Sequence, residues 1–306
     1  MKKEILKIDS AFDGLPLSTA VYAPDEGCQV KGIVQMAHGM SEHKERYFPF
    51  MEFLADAGYA CIIHDHRGHG ESVKDGGDLG YMYDETGEAI VEDVHQLTLY
   101  MKERFPGVPV YLFGHSMGSI IVRVYLRKYD GEIDKLISCG APGKNPAVGP
   151  AKALIKILKA MKGDHHVSKL MYNLSLGGFN KTIQNPRTEC DWLSVNEANV
   201  DEYMDCPLCG FGFTLNGYQN LMLIMEACFL ESGWGMQNPD LPIYFIAGSA
   251  DPCIGGEETW MESRRFLEKK GYTNVDGKLY EGYRHEILKE EIAGDVFADV
   301  LAFIEK

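Results

Sequence analysis

The stretch that most constrains this chain runs from residue 110 to residue 122 and reads VYLFGHSMGSIIV. An apolar, β-prone run comes first, a serine between glycines follows, and a second apolar run continues with helical character to about Tyr129. This order predicts a buried strand, a sharp turn and a helix, with Ser116 at the apex of the turn. The pattern G-x-S-x-G recurs by chance, but its flanking segments favour a nucleophile elbow over an ordinary glycine-rich turn.

Gly114 and Gly118 each have a physical reason in such an elbow. The serine adopts a backbone conformation with positive φ, at a cost of roughly 1–3 kcal/mol. The strand and the helix then approach so closely that a Cβ atom at either glycine position would clash. The serine hydroxyl is held clear of the surface, and the backbone N–H of the next residue, Met117, points at the same spot.

The overall charge excludes one class of partner. The chain has 306 residues with a net charge of −15, and 45% of them are hydrophobic. We expect no nucleic-acid partner, because nothing here would neutralise phosphates, and no general attraction to an anionic membrane. Solubility is the simpler explanation of the acidity.

The amino terminus and the cysteines predict a cytoplasmic protein. The first nine residues lack the apolar run of a secretory signal, and no run reaches the length of a membrane-spanning helix. Eight cysteines are scattered along the chain, which favours free thiols in a reducing compartment. Cys206 and Cys209 form a C-x-x-C pair, but with no second pair and no paired histidines downstream, neither zinc nor redox chemistry is predicted for them.

Strand-like and helix-like segments alternate along most of the chain. This alternation predicts an α/β fold with a mostly parallel central sheet covered by helices on both faces. The predicted strands are 4–9, 15–23, 31–37, 60–63, the run before Ser116, 134–139, 242–248 and about 275–281. The predicted helices outside the interruption described next are about 46–57, 87–104, 117–129, 257–270 and 292–305.

The alternation is interrupted once. Residues 143–235 read as helices and loops without a clear strand. We therefore predict a core domain formed by residues 1–142 and 236–306, with residues 143–235 inserted into it as a helical cap.

The chain also supplies partners for Ser116. A serine hydroxyl is a weak nucleophile at neutral pH and needs a base, which an acid must orient. Asp251 follows the strand at 242–248, and His285 follows the strand near 275–281. Each of the three lies just past the carboxyl end of a predicted strand, where the active sites of open α/β sheets collect. The order Ser…Asp…His is the one that this architecture uses.

Two other histidines lie near the predicted site, and both His285 and Asp251 have simpler interpretations. His38 and His115 flank the predicted site, but they precede the acid in the chain, whereas His285 follows both a late strand and a loop acid. His285 as a surface histidine, and Asp251 as an ordinary turn residue before proline, are the simpler alternatives. For the oxyanion we expect two backbone N–H donors, that of Met117 and that of Met40 in the loop after the third strand.

Several motifs in the same order carry a family resemblance. They are HGMSEH at 38–43 with RY at 46–47, DHRGHGES at 65–72, GHSMG at 114–118 and RHEIL at 284–288. Together they resemble the monoacylglycerol lipase and lysophospholipase-like branch of the α/β-hydrolases. DWLS at 191–194 is similar to a cap pattern of its bacterial members.

The resemblance implies a serine hydrolase with a helical cap and with neither metal nor organic cofactor. It implies Ser116 as nucleophile, Asp251 as acid, His285 as base, and the amides of Met40 and Met117 as oxyanion donors. It also makes the histidine-rich loop at 65–72 structural, although its two histidines and Asp65, together with His64 just before it, could otherwise suggest a metal.

Two positions depart from the family pattern. Lys289 replaces a common asparagine, and Cys206 interrupts an otherwise usual Asp-Pro-Leu-Cys in the cap. The first touches no catalytic role, whereas the second leaves substrate choice open.

One cap helix is both basic and amphipathic. Residues 153–161 place four apolar side chains on one stripe, with lysines on the other side: Leu154, Ile157, Leu158 and Met161 against Lys152, Lys156, Lys159 and Lys162. Transient contact with lipid aggregates is one interpretation. The simpler one is that the stripe packs on the protein's own domain.

The function predicted from sequence is hydrolysis of lipid-like carboxylic esters, of the monoacylglycerol or lysophospholipid type. Two alternatives remain open: a peptidase of the same fold that releases small amino-terminal residues, and a lipid-binding protein without turnover.

Overall fold

The computed structural model describes residues 1–306 and contains one eight-stranded sheet. In chain order the strands are β1 Lys2–Asp9, β2 Pro16–Ala23, β3 Ile33–Ala37, β4 Ala60–His64, β5 Val110–His115, β6 Lys135–Cys139, β7 Ile243–Gly248 and β8 Val275–Tyr280. Their order across the sheet is β1-β2-β4-β3-β5-β6-β7-β8. The two contacts of β2, with β1 and β4, are antiparallel, and all others are parallel. All eight predicted strands are confirmed, with small shifts at their ends.

The central strands are buried on both faces, as their apolar sequences require. Every residue of β3, β4 and β5 is buried. Alternate residues of β5 enter two different apolar clusters: Leu112 belongs to one, and Phe113 to the other. The sheet is therefore the middle layer of three, with helices packed on each side.

Nine α-helices accompany the sheet: α1 Phe48–Asp56, α2 Ala89–Arg104, α3 Met117–Tyr129, α4 Val148–Lys162, α5 Lys169–Ser175, α6 Glu197–Asp205, α7 Leu215–Cys228, α8 Glu257–Lys270 and α9 Ala293–Glu305. The apolar cluster that contains Leu112 includes buried residues of α2, α3 and α7. The cluster on the other face includes residues of α1 and α9. None of these helices combines the length and apolar character needed to span a bilayer.

Residues 143–235, which we call the inserted segment, contain α4 to α7 and none of the eight strands. The helix α7 has many buried residues, and its Tyr218 and Ile224 share a cluster with Ile121 of α3. This helix therefore packs on α3, one of the helices that cover the sheet. The division into a core domain and a cap remains a prediction.

The stripe predicted on α4 is only partly packed. Leu154 and Leu158 pack against the large apolar cluster, and Ile155 is fully buried. Ile157 and Met161 instead remain 58% and 73% exposed. The helix is turned so that the Ile155 side faces the protein, which leaves part of the predicted stripe in solvent.

Candidate active site

Ser116 occupies the predicted turn between β5 and α3, with φ 53° and ψ −117°. Its backbone N–H donates a hydrogen bond to the carbonyl of Cys139 at 2.9 Å, which fixes the turn to the end of β6. Positive φ in a residue other than glycine is uncommon, and such strain collects at functional sites. The structure therefore places this serine in the conformation of a nucleophile elbow.

Both flanking glycines are required by close backbone contacts. A Cβ atom at Gly114 would lie 2.4 Å from the carbonyl oxygen of Gly118. A Cβ atom at Gly118 would lie 2.0 Å from the carbonyl oxygen of Ala37, at the end of β3. Since atoms cannot approach so closely, strand and helix can cross here only with glycine at both positions.

Asp251 and His285 meet beyond the ends of β7 and β8. The His285 Nδ1 atom lies 2.8 Å from Asp251 Oδ2, and both residues are only 2% exposed. The other carboxylate oxygen, Oδ1, accepts a hydrogen bond from the N–H of Cys253 at 2.8 Å. A carboxylate held in this way fixes the orientation of the imidazole ring and leaves Nε2 free to act as a base.

Ser116 and His285 lie beyond the same edge of the sheet, at the carboxyl ends of the strands, but no hydrogen bond joins them. The Ser116 N–H binds the carbonyl of Cys139, and Gly140 is the next residue. A Cβ atom at Gly140 would lie 3.2 Å from the His285 ring. The Ser116 hydroxyl nevertheless makes no hydrogen bond to His285. Catalytic hydrogen bonds are often long before substrate binds, so this arrangement is compatible with a base that engages in the complex.

The two predicted oxyanion amides have no partner within the protein. Met40 lies in the loop after β3, residues 38–43, which we call the β3 loop. At Gly39 a Cβ atom would lie 3.2 Å from Ser116 Cβ, so the loop passes against the serine. Neither Met40 nor Met117 donates a backbone hydrogen bond. At the start of α3 an unpaired N–H is expected, because the first turn of a helix lacks acceptors.

A buried ionic network supports the β3 loop, and sequence reasoning missed it. Glu42 accepts a hydrogen bond from the N–H of Gly39 and contacts Arg46 at 3.0 Å. The Arg46 guanidinium also binds both carboxylate oxygens of Glu286, the neighbour of His285. Burial alone would raise the pKa of Glu42, but the hydrogen bond with His115 and the charge of Arg46 outweigh it and hold that pKa well below its usual range.

The inserted segment contacts the histidine through residues 191–194. The Trp192 ring lies 5.1 Å from the His285 ring, centroid to centroid. Arg284 donates to the carbonyls of Asp191 and Ser194, and the N–H of Glu286 donates to that of Leu193. The DWLS motif is visible in the sequence, but its contact with the loop that carries His285 is not.

The histidine-rich loop at 65–72 is buried except for Glu71, and charged side chains tie it to neighbouring segments. Arg67 donates to Asp93 at 2.8 Å, and Asp65 accepts from Lys44 at 2.8 Å. His64 and His69 are fully buried, and burial lowers the pKa of each to about 3. Their side chains are therefore neutral at neutral pH.

Comparison with known proteins agrees with this geometry. A family model described as "Serine aminopeptidase, S33" matches residues 28–292. The monoacylglycerol lipase of Mycolicibacterium smegmatis is 26% identical over 291 residues, which cover 95% of this chain and 93% of that protein. Human monoglyceride lipase is also 26% identical, over 90% of this chain and 83% of its own length. Among solved structures, a thermostable carboxyl esterase from Bacillus coagulans in complex with glycerol aligns with a TM-score of 0.90 and 28% identity, over 100% of this chain and 98% of that chain.

Proposed function

The chain belongs to the serine aminopeptidase S33 family of α/β-hydrolases, and from that premise we propose that it hydrolyses carboxylic esters of lipid-like substrates through an acyl-enzyme on Ser116. The observation that carries this proposal is the positive φ of Ser116 at the elbow, at the same edge of the sheet as the hydrogen-bonded pair Asp251 and His285. A binding protein would have no use for such strain.

In the proposed reaction the Ser116 hydroxyl attacks the ester carbonyl carbon while His285 Nε2 takes its proton. The tetrahedral intermediate collapses, the bond to the alcohol oxygen breaks, and His285 returns the proton to the leaving alcohol. Water then repeats the sequence on the acyl-enzyme, which releases the carboxylic acid and restores Ser116. The Asp251 carboxylate stabilises the imidazolium that forms twice in the cycle.

The negative charge on the carbonyl oxygen needs donors that are ready before the reaction starts. The amides of Met40 and Met117 meet this requirement, because neither is used within the protein. Loss of one such donor typically raises the barrier by ~2.7–4 kcal/mol.

No buried carboxylate is left unpaired for the free amine that an aminopeptidase substrate carries. An aminopeptidase must hold the free amine of its substrate, which calls for an unpaired carboxylate near the site. Every buried carboxylate here already has hydrogen-bond partners: Glu42, Asp65, Asp84, Asp93, Asp130, Asp191, Asp251, Glu286 and Glu290.

The proposed substrate class is monoacylglycerol or lysophospholipid-like. It rests on the relatives named above, which are monoacylglycerol and monoglyceride lipases. The flexible side chain of Met40, half-buried beside the elbow, is suited to an apolar acyl group of variable shape. We further propose that residues 143–235 act as the cap that selects this chain.

A series of p-nitrophenyl esters of increasing acyl length tests the proposal, run beside an aminoacyl anilide. We expect ester cleavage with a preference for an apolar acyl group, and its loss in Ser116→Ala. Anilide cleavage without ester preference would support the peptidase alternative. Lipid binding that raises the melting temperature, with neither substrate cleaved, would support a binding protein instead.

A further inference from the structure

Three soft ligand atoms meet where the inserted segment touches the β3 loop. Cys206 Sγ lies 3.4 Å from His43 Nε2. Cys209 Sγ completes the group, in which all three atoms lie within 4.8 Å of one another. The two cysteines follow α6, and His43 comes three residues after Met40. The histidine lies upstream of the C-x-x-C pair, so a search for downstream ligands does not find it.

The spacing fits a tetrahedral zinc-type centre. With Zn–S bonds of about 2.3 Å and Zn–N bonds of about 2.0–2.1 Å, a tetrahedron separates sulfur from nitrogen by about 3.5 Å. The distance of 3.4 Å between Cys206 and His43 is already close to this value. Two sulfurs would be about 3.8 Å apart in the same centre. The three atoms can therefore reach one ion by small side-chain rotations.

The surroundings also suit a cation. His43 and Cys209 are 8% and 9% exposed, while Cys206 is only half-buried and leaves a path from solvent. The only side-chain partner of His43 Nε2 is a thiol, which is a weak hydrogen-bond partner that a cation would replace.

We propose that His43, Cys206 and Cys209 bind a divalent cation of the zinc class, with a fourth position open to water. Two thiolates and one divalent ion are neutral together, so the filled site buries no net charge. This site is separate from Ser116, Asp251 and His285 and does not depend on the proposed function.

A bound ion would join two segments that already touch. The Tyr203 hydroxyl and the N–H of Gly210 both donate to the carbonyl of Ser41, at 3.0 and 2.9 Å. An ion held by the adjacent Cys206, Cys209 and His43 would add coordination bonds between the inserted segment and the β3 loop that carries Met40. We expect the ion to raise the melting temperature of the protein, because it binds only the folded arrangement.

A second cluster must be separated from this one in any test. Asp251, Cys253 and His285 also place three possible ligand atoms within 4.8 Å of one another. A cation there would simply block the proposed catalytic residues. The variants Cys206→Ser and Cys253→Ala distinguish the two locations.

The test uses the full chain, reduced and stripped with a chelator, and then titrated with Co²⁺. We expect one equivalent to bind with thiolate-to-cobalt absorption and tetrahedral d–d bands, and excess Zn²⁺ to bleach them. The absorption should disappear in Cys206→Ser and in Cys209→Ser. In His43→Gln the affinity should fall at least about tenfold. Cys253→Ala and Cys190→Ser should keep the wild-type spectrum and affinity.

Two results would overturn the proposal: no thiolate absorption with excess cobalt, or absorption that survives Cys206→Ser and is lost in Cys253→Ala. Should the serine variants not fold, alkylation of the wild-type protein gives the answer. Zn²⁺ should then protect Cys206 from iodoacetamide while the exposed Cys28 stays reactive. Equal labelling of Cys206 with and without Zn²⁺ would overturn the proposal as well.

Discussion

Glu42 accepts a hydrogen bond from the backbone N–H of Gly39 at 2.5 Å, and so holds the β3 loop one residue before the proposed oxyanion donor Met40. The same carboxylate accepts the Tyr47 hydroxyl at 2.8 Å. Glu42 is thus a positioning residue, which acts on the oxyanion through the loop and does not touch the substrate itself.

Replacing Glu42 by glutamine should lower kcat by up to roughly 100-fold with little change in KM, because a misplaced oxyanion donor weakens binding of the transition state alone. Steady-state kinetics on a p-nitrophenyl ester check this split. Glu262→Gln, on the exposed side of α8, is the matched control and should behave as wild type. A variant with unchanged kcat and raised KM would contradict the assigned role.

Asp251→Asn should reduce kcat/KM for esters by roughly 10⁴-fold, since an amide no longer holds the His285 ring in the tautomer that leaves Nε2 unprotonated. The fold should persist, because asparagine keeps the size of the side chain. The exposed Asp56→Asn provides a control of the same chemistry. Activity within a few-fold of wild type would show that a different acid serves His285.

Gly118→Ala should destabilise the protein by about 3 kcal/mol or more, because the added Cβ would lie 2.0 Å from the Ala37 carbonyl oxygen. Urea denaturation measures the change. Gly149→Ala, early in α4, is the matched control, since its Cβ would meet nothing within 4 Å. We expect that control to be neutral or slightly stabilising. Equal stability of the two variants would remove the packing explanation of the elbow glycines.

Acid should destabilise the protein through its buried histidines. In the folded chain burial lowers the pKa of His64 and His69 to about 3, whereas in the unfolded chain it is about 6.5. Below pH 6.5 the unfolded state therefore binds more protons, so stability is fully present above that pH and falls towards pH 3. Between pH 6 and pH 5 the two residues together should cost about 2 kcal/mol of unfolding free energy.

Urea denaturation at both pH values measures this loss. His64→Phe should reduce the measured loss by about 1 kcal/mol, the share of one residue. Phenylalanine can replace His64 because neither ring nitrogen has a partner to lose. Identical losses in wild type and His64→Phe would show that His64 does not contribute.

The exposed part of α4 allows a test of contact with lipid aggregates. Lys152 and Lys159 pair with Glu226 and Glu85, so their replacement would disturb packing. Lys156 and Lys162 are exposed and unpaired. Changing both to glutamate should slow turnover of aggregated monoacylglycerol while sparing a short, dissolved ester.

The control for this pair is Lys7→Glu with Lys74→Glu, which makes the same change in net charge outside the inserted segment. Equal slowing by the two pairs would indicate a general charge effect. Equal slowing of both substrates would indicate damage to the site.

The sequence predicts the strands, and the positions of the proposed site residues after them, because burial leaves a local pattern. The strands of the central sheet are short apolar runs, because parallel strands are buried on both faces. Ser116 and Asp251 follow such strands and His285 follows the more exposed edge strand β8, so the topology brings all three to one edge of the sheet. The elbow was predictable because Gly114 and Gly118 leave a local signature.

Contacts between distant segments left no such signature. Cys206 and His43 are 163 positions apart, and only the docking of the inserted segment joins them. The approach of Trp192 to His285 depends on the same docking. The turn of α4 was also mispredicted in part, because helical spacing shows that an apolar stripe exists but does not fix how far it turns towards the protein.

The central claim is that Ser116 is the nucleophile, and its most direct test is labelling by a fluorophosphonate followed by peptide mass mapping. We predict a single phosphonyl adduct on Ser116, formed at a rate that falls sharply in His285→Ala and absent in Ser116→Ala. Unlabelled Ser116 in an ester-hydrolysing protein, or an adduct on another residue that survives Ser116→Ala, would contradict the mechanism.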